Sequence, residues 1–459
     1  MLAGEVFERF VREAPICVML QATLENMFSA EAVNTLFQEH SRQQYERELL
    51  FSSVVDVMSL VVAGVHPSVH AAYQRRREEI GVSVKSLYNK LNGIEPQVSQ
   101  ALVRHTAQSA RTVMCNWSSR TPCLQGYRTK VIDGNHLTGT EHRLNVLRNE
   151  GGAALPGQAV AVLLPDPGLI EDVVLEMDAY TQETRLLEPV VERLSPRDLV
   201  IADRQYCISR FLFDIHGREA CFIIRQHLGH LRWELRGPCR SRGRSETGPL
   251  FEQECDLVFP QTGDVLRVRR ISVKLDRPTR NGDRELHLLT NLPVEAADAA
   301  QIAALYGKRW TIETAFQEMT TSLRCELESL GHPSAALFAF AVAAACFNVL
   351  AVIRGALGEA HGMEKVDEEV SLFSLADELS GTYRGMMIAV PPSAWTDYER
   401  LVPTQLAAEL VAWARSVRLE RYRKHRRGPK TRTPRSYEPT KHVSTARLLE
   451  RHKKPPPKK

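Results

Sequence analysis

The chain lacks the features that identify several large classes of protein. Its nine cysteines, in 459 residues, include no C-x-x-C pair, and their number and spacing fit neither a zinc site nor a disulfide framework. The first fifteen residues, MLAGEVFERFVREAP, carry acids early and contain no signal-peptide core, and the sequence has no internal repeat. We therefore expect reduced cysteines in a cytoplasmic protein.

Long hydrophobic runs are also scarce. The exception is residues 335–353, AALFAFAVAAACFNVLAVI, which approach the ~20 apolar residues needed to cross a bilayer. The run is rich in alanine, contains Asn348 and directly follows an amphipathic helical pattern. We interpret it as a fully buried core helix, so no membrane partner is expected.

Acids are nearly absent from one end of the chain. From Arg415 to Lys459 there are 17 Lys and Arg against three acids, a net charge of +14, which leaves −10 on residues 1–414 of a chain whose formal charge is +4. Half of residues 428–459 are Pro, Lys or Arg and few are apolar, so they are predicted to be a disordered basic tail. Such a concentration of basic charge is typical of a segment that contacts nucleic acid.

Residues 1–120 are predicted to be helical. Ser29 can cap the helix AEAVNTLFQEH, and Ser83 can cap the short polar helix VKSLYNKLNG. Over residues 67–93 a helix, a glycine turn and a polar helix follow each other, which is typical of a helix-turn-helix and equally of an ordinary helical hairpin. We interpret residues 1–120 as a helical DNA-binding domain.

From Arg128 the hydrophobic period changes to that of strands. Three strand-like runs, RTKVIDGNHL, GQAVAVLLP and GLIEDVVLEM, precede alternating helices and strands that include the buried run DLVIADRQY. This order predicts an α/β fold over residues 121–358, with helices on the faces of a mixed sheet. Within that range, residues 228–293 contain four strand-like runs separated by turn-rich pieces such as GPCRSRGRSETGP, which predict an all-β, arginine-rich insertion. Residues 359–427 are predicted to be a further helical region.

Three carboxylates stand out by their positions. Asp133 and Asp203 each end or interrupt a hydrophobic strand, and an acid at a strand end of an α/β sheet faces the crevice where ligands bind. In the run YGKRWTIETAFQEMT, steps of three and four residues place Tyr306, Arg309 and Glu313 on one face of a predicted helix. An apolar stripe occupies another face of that helix and comprises Ile302, Leu305, Ile312, Phe316, Met319 and Leu323. Taken singly, each aspartate can equally be a turn residue, and the glutamate can equally belong to a solvated face.

Together these segments resemble the DDE transposases of bacterial insertion sequences, the group with a Y-x2-R-x3-E-x6-K signature and an RNase H-like catalytic domain. VIDGNHL is similar to the first-aspartate motif, LVIADRQY to the second and YGKRWTIE to the glutamate motif, and a β insertion before the glutamate is typical of the group. The resemblance covers about residues 125–350. It implies that Asp133, Asp203 and Glu313 are the catalytic and metal-binding triad of a cut-and-paste transposase.

The resemblance also implies a cofactor and partners. Three carboxylates suit two Mg²⁺ ions, for which Mn²⁺ can substitute, because Mg²⁺ prefers carboxylate oxygens and two ions roughly 4 Å apart serve both the attacking and the leaving oxygen. The implied partners are the inverted-repeat ends of the element, the target DNA and a second copy of the chain, at least a dimer, in a nucleoid-associated complex.

Five residues are expected to contact DNA: Tyr306, Arg309, Trp310, Arg324 and Trp233. Core packing is the alternative role for both tryptophans. The chain departs from the signature at Thr320, where the group has lysine, and Arg324 is predicted to lie one turn further along the same helix face and to substitute for it.

Two other functions stay open. One is a different metal-dependent nuclease of RNase H-like fold, which the Y-R-E signature disfavours. The other is an inactive, transposase-derived DNA-binding protein, which retention of all three acids disfavours and Thr320 favours.

Overall fold

The computed structural model describes residues 4–44, 48–118, 121–227, 229, 231–279, 282–425 and 442–453. Its N-terminal part is helical: α1 (Glu5–Glu13), α2 (Pro15–Met27), α3 (Ala30–His40), α4 (Phe51–Val62), α5 (Val69–Arg75), α6 (Arg77–Ile80), α7 (Val84–Gly93) and α8 (Pro96–Met114). Two of these helices begin at the predicted caps, since Ser29 Oγ accepts from Ala32 N and Ser83 Oγ accepts from Ser86 N. Gly81 ends α6 with φ 69°, a conformation that favours glycine, and the chain turns there into α7.

The central part is a mixed sheet of nine strands. In chain order the strands of this part are β1 (Arg128–His136), β2 (Ala153–Leu155), β3 (Gln158–Leu164), β4 (Leu169–Glu176), β5 (Asp198–Ala202), β6 (Cys221–Arg225), β7 (Arg232–Ser245), β8 (Gly248–Val258), β9 (Val265–Lys274) and β10 (Glu285–Thr290). The nine-stranded sheet has the order β4-β3-β1-β5-β6-β10-β9-β8-β7 and leaves out β2. β5 pairs parallel with β1 and with β6, and the other pairs are antiparallel. Helices α9 (Glu188–Glu192) and α10 (Ser209–Gly217) flank β5, so the α/β prediction is confirmed in its coarser form.

The four strands from β7 to β10 continue this sheet rather than building a second one. The piece GPCRSRGRSETGP was expected to be turn-rich, but most of it belongs to β7, which runs to Ser245. The pairing of β7 with β8 shifts register twice within this piece. Gly237 and Gly243 lie at the two shifts and have positive φ. Glycine can adopt that backbone without a Cβ clash, so the glycines mark bulges within one long strand.

A single long helix joins the helical part to the sheet. Helices after the sheet are α11 (Ala299–Gly307), α12 (Trp310–Ser322), α13 (Pro333–His361), α14 (Met363–Glu369), α15 (Leu372–Ala389), α16 (Thr396–Glu399) and α17 (Pro403–Ala414). α13 contacts α2, α4 and α8 on one side and β4 on another, and one apolar cluster includes side chains from all of these elements. Residues 4–118 therefore share a core with the rest of the chain.

α13 contains the apolar run of residues 335–353, which could have been a membrane span and was interpreted as a core helix. It is long and apolar enough to cross a bilayer, and it is the one such helix in the described residues, but its most apolar window lies entirely inside the protein. Asn348, at its centre, is fully buried; its Oδ1 accepts from Ile170 N at 2.8 Å and its Nδ2 donates to Ile170 O at 3.0 Å. The polar side chain thus satisfies the backbone of β4, as a buried amide must.

Part of the basic tail forms a strand and a helix. β11 (His442–Ser444) pairs parallel with β2, and α18 (Thr445–Lys453) follows directly. Ser444 Oγ donates to Asp178 Oδ1 at 2.7 Å, and Arg447 Nε donates to Asp178 Oδ2 at 2.6 Å. The expectation of a disordered tail is therefore wrong for residues 442–453, because strand pairing and these bonds hold them against the sheet domain. Residues 428–441 and 454–459 lie outside the described part.

Candidate active site

The two aspartates lie side by side on neighbouring parallel strands, where the pairing of these strands ends. Asp133 is on β1, and Asp203 directly follows β5. In the pairing of these strands Val131 is opposite Ile201, so two further residues along each strand bring Asp133 level with Asp203. Gln205 N donates to Asp203 Oδ1 at 2.5 Å, which fixes the orientation of that carboxylate at the start of the 3₁₀ turn formed by residues 204–206.

The glutamate reaches the same place from a helix that is interrupted. Residues 306–320 were expected to form one helix, but α11 ends at Gly307 and α12 begins at Trp310. Short-range bonds from Lys308 N to Leu305 O and from Arg309 N to Tyr306 O form a tight link between them, as expected next to a glycine, a poor helix former. The apolar stripe still faces the core, with Ile302, Leu305, Ile312, Met319 and Leu323 buried and Phe316 half-buried.

Arg309 connects the helix to the first aspartate. Its Nη1 lies 2.7 Å from Glu313 Oε1 and 3.7 Å from Asp133 Oδ2. The arginine side chain is 11% exposed, whereas that of Glu313 is 43% exposed. The largely buried guanidinium of Arg309 therefore lies between Asp133 and Glu313, two of the three acids.

The electrostatics of the cluster disfavour charge on Asp133. Burial raises the pKa of Asp133 to about 6, and the neighbouring Asp203 and Glu313 add to the rise, while the hydrogen bond from Gly134 N and the charge of Arg309 oppose it. A carboxyl with a raised pKa beside like charges in a crevice is typical of a functional site. Asp203 and Glu313 are therefore close enough to Asp133 to repel its charge, and the three acids form one cluster.

The donor set fits a hard divalent cation by its chemistry, because all three groups are carboxylates. Within the described residues, however, no three His, Cys, Asp or Glu side chains are arranged to hold one ion. Arg309 supplies the positive charge at Asp133 and Glu313 instead. For this triad to bind an ion, the carboxylate of Glu313 has to leave Arg309 and contact the ion instead.

A groove of about 880 Å³ opens beside Asp203. Residues 179–184, which follow β4, form one wall, and His136, Arg204 and His227 contribute to the rest. The sequence did not single out Glu183 in this wall, although its carboxylate lies over Gly134, next to Asp133, and accepts a hydrogen bond from Tyr206 at 2.8 Å. No motif marks this residue; only the acid's place in the folded chain does.

The expected DNA contacts differ in exposure. Trp310 is 59% exposed with the Arg309 guanidinium 4.2 Å from its ring centre, so core packing is not its role. Trp233 is half-buried against the second apolar cluster, with Arg270 5.5 Å from its ring. Tyr306 is also half-buried, and burial raises its pKa to about 12.

Arg324 does not lie where the sequence placed it. α12 ends at Ser322, so Arg324 follows the helix instead of continuing its face. Its N donates to Val62 O at 2.8 Å and its Nη1 to Pro67 O at 3.4 Å, which attaches it to the segment after α4. Thr320, at the position of the missing lysine, is exposed, and its hydroxyl donates to Phe316 O of its own helix at 2.9 Å. The prediction that Arg324 shares a helix face with Thr320 is therefore wrong.

Four of the eight arginines of β7 and β9 are paired with acids of β8. Asp256 accepts from Arg236 Nε and from Arg267 Nε, both at 2.9 Å. Glu252 likewise accepts from Arg242 and Arg269, both at 2.6 Å. This arginine–acid ladder neutralises much of the positive charge that the composition of the segment indicates.

Residues 124–348 match a family model described as a transposase DDE domain. A comparison of the whole chain with curated proteins finds no match. The matched range begins just before β1 and ends within α13, so it includes Asp133, Asp203, Glu313 and the strands β7 to β10.

Proposed function

We propose that the protein is a cut-and-paste transposase that cleaves the inverted ends of its element and joins them to target DNA, because residues 124–348 match the model of a transposase DDE domain. The observation that supports this most strongly is the parallel register of β1 and β5, which sets Asp133 beside Asp203, with Glu313 joined to Asp133 through Arg309. The bacterial insertion-sequence origin and the Y-R-E signature remain parts of this proposal.

In this proposal Asp133, Asp203 and Glu313 would hold two divalent ions, Mg²⁺ or Mn²⁺. When bound, such ions lower the pKa of an attacking water, stabilise the leaving oxygen and offset phosphate charge. A nearby cation would favour the charged form of Asp133, whose pKa burial and the neighbouring acids raise to about 6. Glu313, the most exposed of the acids that contact Arg309, would turn from the arginine to the ion, and Arg309 would then be available to a DNA phosphate.

Further DNA contacts are proposed for aromatic and basic residues outside the triad. Trp310 offers an exposed ring next to Arg309, and stacking of a base on such a ring is typically worth ~1–3 kcal/mol. We assign the strands β7 to β10 as the β insertion and Trp233 as a weaker candidate, because its ring is half-buried. Residues 67–93 and the basic tail would add phosphate contacts, and joining of two ends requires at least a dimer on DNA.

The decisive experiment is cleavage of the terminal inverted repeats that flank the coding region. Labelled end DNA is incubated with wild-type protein and Mg²⁺, and with Asp133→Asn, Asp203→Asn and Glu313→Gln. We expect strand cleavage by wild type alone, with DNA binding by all four proteins in a fluorescence anisotropy assay.

Each alternative predicts a different result. A protein that binds the ends but never cuts them is the inactive derivative. Cleavage of unrelated duplexes at the same rate as the ends indicates a general nuclease of RNase H-like fold. Normal cleavage by any one of the three variants contradicts the assignment of the triad.

A further inference from the structure

Glu183 is a fourth acid that contacts both aspartate-bearing segments. It begins the 3₁₀ turn Glu183–Leu186 after β4, and its side chain is only 11% exposed. One oxygen, Oε2, accepts from the Tyr206 hydroxyl at 2.8 Å. The other, Oε1, lies 3.7 Å from His136 Nδ1 at the edge of the groove.

On the β1 side, the contact depends on a glycine. A Cβ built on Gly134 would lie 2.3–2.5 Å from the three carboxyl atoms of Glu183, far inside any contact distance. The Glu183 carboxylate therefore rests on the backbone immediately after Asp133. Only glycine leaves room for it there.

On the β5 side, the contact passes through a buried ring. Tyr206 is 1% exposed, packs in the second apolar cluster and ends the turn that starts at Asp203. Burial, and then the negative charge of Glu183, raise the pKa of the Tyr206 hydroxyl, which keeps it protonated as a donor. Since Gln205 N in the same turn orients Asp203, a shift of Tyr206 would move that carboxylate.

We propose that Glu183 is a positioning residue that fixes the separation of Asp133 and Asp203 by resting on Gly134 and accepting from Tyr206. The proposal deepens the function proposed above and rests on it, because the separation matters only if the two aspartates share bound cations. Groups that hold ligating carboxylates in place typically change metal affinity or activity by about 10–100-fold when they are removed.

Two variants distinguish positioning from the neighbouring explanations. Glu183→Gln keeps an acceptor for Tyr206 and removes the charge, whereas Glu183→Ala removes both. A positioning role is rescued by glutamine, while a role as a direct metal ligand is not. The matched control is Glu188→Ala, since Glu188 is five residues on, 69% exposed and paired only with exposed Arg210.

The test measures Mn²⁺ binding to the DNA-free full chain by isothermal titration calorimetry, together with thermal melting. We expect Glu183→Ala and Tyr206→Phe to weaken Mn²⁺ binding by roughly tenfold or more, with Glu183→Gln and Glu188→Ala within about threefold of wild type. Gly134→Ala should weaken binding in the wild-type background and add nothing to Glu183→Ala, because the carboxylate that its methyl group strikes is then gone.

Several results overturn the inference. Mn²⁺ binding by Glu183→Ala equal to that of wild type removes the positioning role. Equal loss in Glu183→Gln and Glu183→Ala shows that the charge itself is the requirement. A further loss on adding Gly134→Ala to Glu183→Ala shows that the two residues act separately. Wild-type protein that binds Mn²⁺ but does not cut the ends contradicts the proposed function and leaves this inference standing, whereas failure to bind Mn²⁺ contradicts both.

Discussion

The acids of the candidate site and the acids of β8 differ in how many arginines they have. At the site two carboxylates share one arginine, whereas on β8 each of two carboxylates contacts two arginines. Arg309 serves both Asp133 and Glu313, with Asp203 close by. Asp256 and Glu252, in contrast, each accept from one arginine of β7 and one of β9. The first cluster has an excess of negative charge and the second has none.

The pKa values of the two clusters move in opposite directions. Burial raises the pKa of Asp133, and its acidic neighbours add to this. Hydrogen bonds from Arg267 and Arg236 lower the pKa of Asp256, and although burial opposes it, Arg269 and Arg242 lower that of Glu252. The difference indicates that the first cluster is suited to bind added cations and that the second stabilises the sheet extension.

The largest expected effect comes from removing the charge of Asp133. Asp133→Asn should abolish end cleavage, because one of the three acids proposed to bind metal is lost, and should also stabilise the free protein, because a buried charge with a raised pKa is removed. A rise in pKa from 3.8 to about 6 corresponds to an upper limit of roughly 3 kcal/mol. Thermal melting without metal measures the stability, and Mg²⁺-dependent cleavage measures the activity.

Lower stability of Asp133→Asn would contradict the charge argument even if cleavage were lost. Ser53, on α4, lies outside the cluster, and Ser53→Ala serves as a control for handling of the purified chain.

The next effect is a pH dependence of opposite sign in the two clusters. Between pH 4 and 6 the folded state binds a proton at Asp133 that the unfolded chain does not, so this group contributes more stability as pH falls through about 6. The lowered pKa values of Asp256 and Glu252 contribute stability above their unfolded values, and this is lost only as pH falls through the folded values. The stability difference between wild type and Asp133→Asn should therefore change from pH 7 to pH 5, whereas that between wild type and Asp256→Asn should not.

Melting temperatures of the three proteins across pH 5 to 8, without metal, check this prediction. Parallel curves for wild type and Asp133→Asn would show that Asp133 does not titrate in this range.

A smaller effect is expected from breaking the ladder. Asp256→Asn removes the carboxylate that Arg236 and Arg267 share, although Arg236 keeps Glu234 at 3.0 Å. Because both arginines are largely exposed, the melting temperature should fall by only about 1–3 °C. The released positive charge should strengthen non-specific DNA binding and make it more salt-dependent. Anisotropy with random duplex DNA at several salt concentrations measures this; unchanged affinity would show that the ladder lies away from the DNA path.

The sequence predicted one of these clusters well and the other poorly, for a physical reason. Asp133 lies on β1 and Asp203 follows β5, both strands show a buried hydrophobic pattern, and their parallel pairing brings the two acids level. The ladder depends on which side chains face each other across β7, β8 and β9, and two bulges in β7 set that register. Composition counts arginines but cannot show which acids neutralise them.

Three further features depend on long-range contacts that no local pattern encodes. Arg309 keeps the helical i,i+4 contact with Glu313, but its second acid, Asp133, comes from a strand far away in the sequence. Glu183, which lies in the segment after β4, contacts the backbone of Gly134 on β1. The segment after His442 has a composition typical of disorder, yet it pairs with β2.

The smallest expected effect comes from adding a cation further along α12, the helix that carries Glu313. Thr320 bonds only to the backbone of its own helix and to Cys325 at its C-terminal end, so Thr320→Lys costs little packing and restores the lysine of the signature. An added lysine about two helical turns from Glu313 should raise affinity for end DNA by about two- to fivefold and steepen the salt dependence by about one phosphate contact. The matched control is Thr321→Lys, because Thr321 is the next exposed residue, bonds in the same way to Gln317 O and lies about 100° further around the helix. Equal gains from the two lysines would mean that charge anywhere on α12 suffices, whereas a gain confined to position 320 would show that the helix presents one particular face to the DNA.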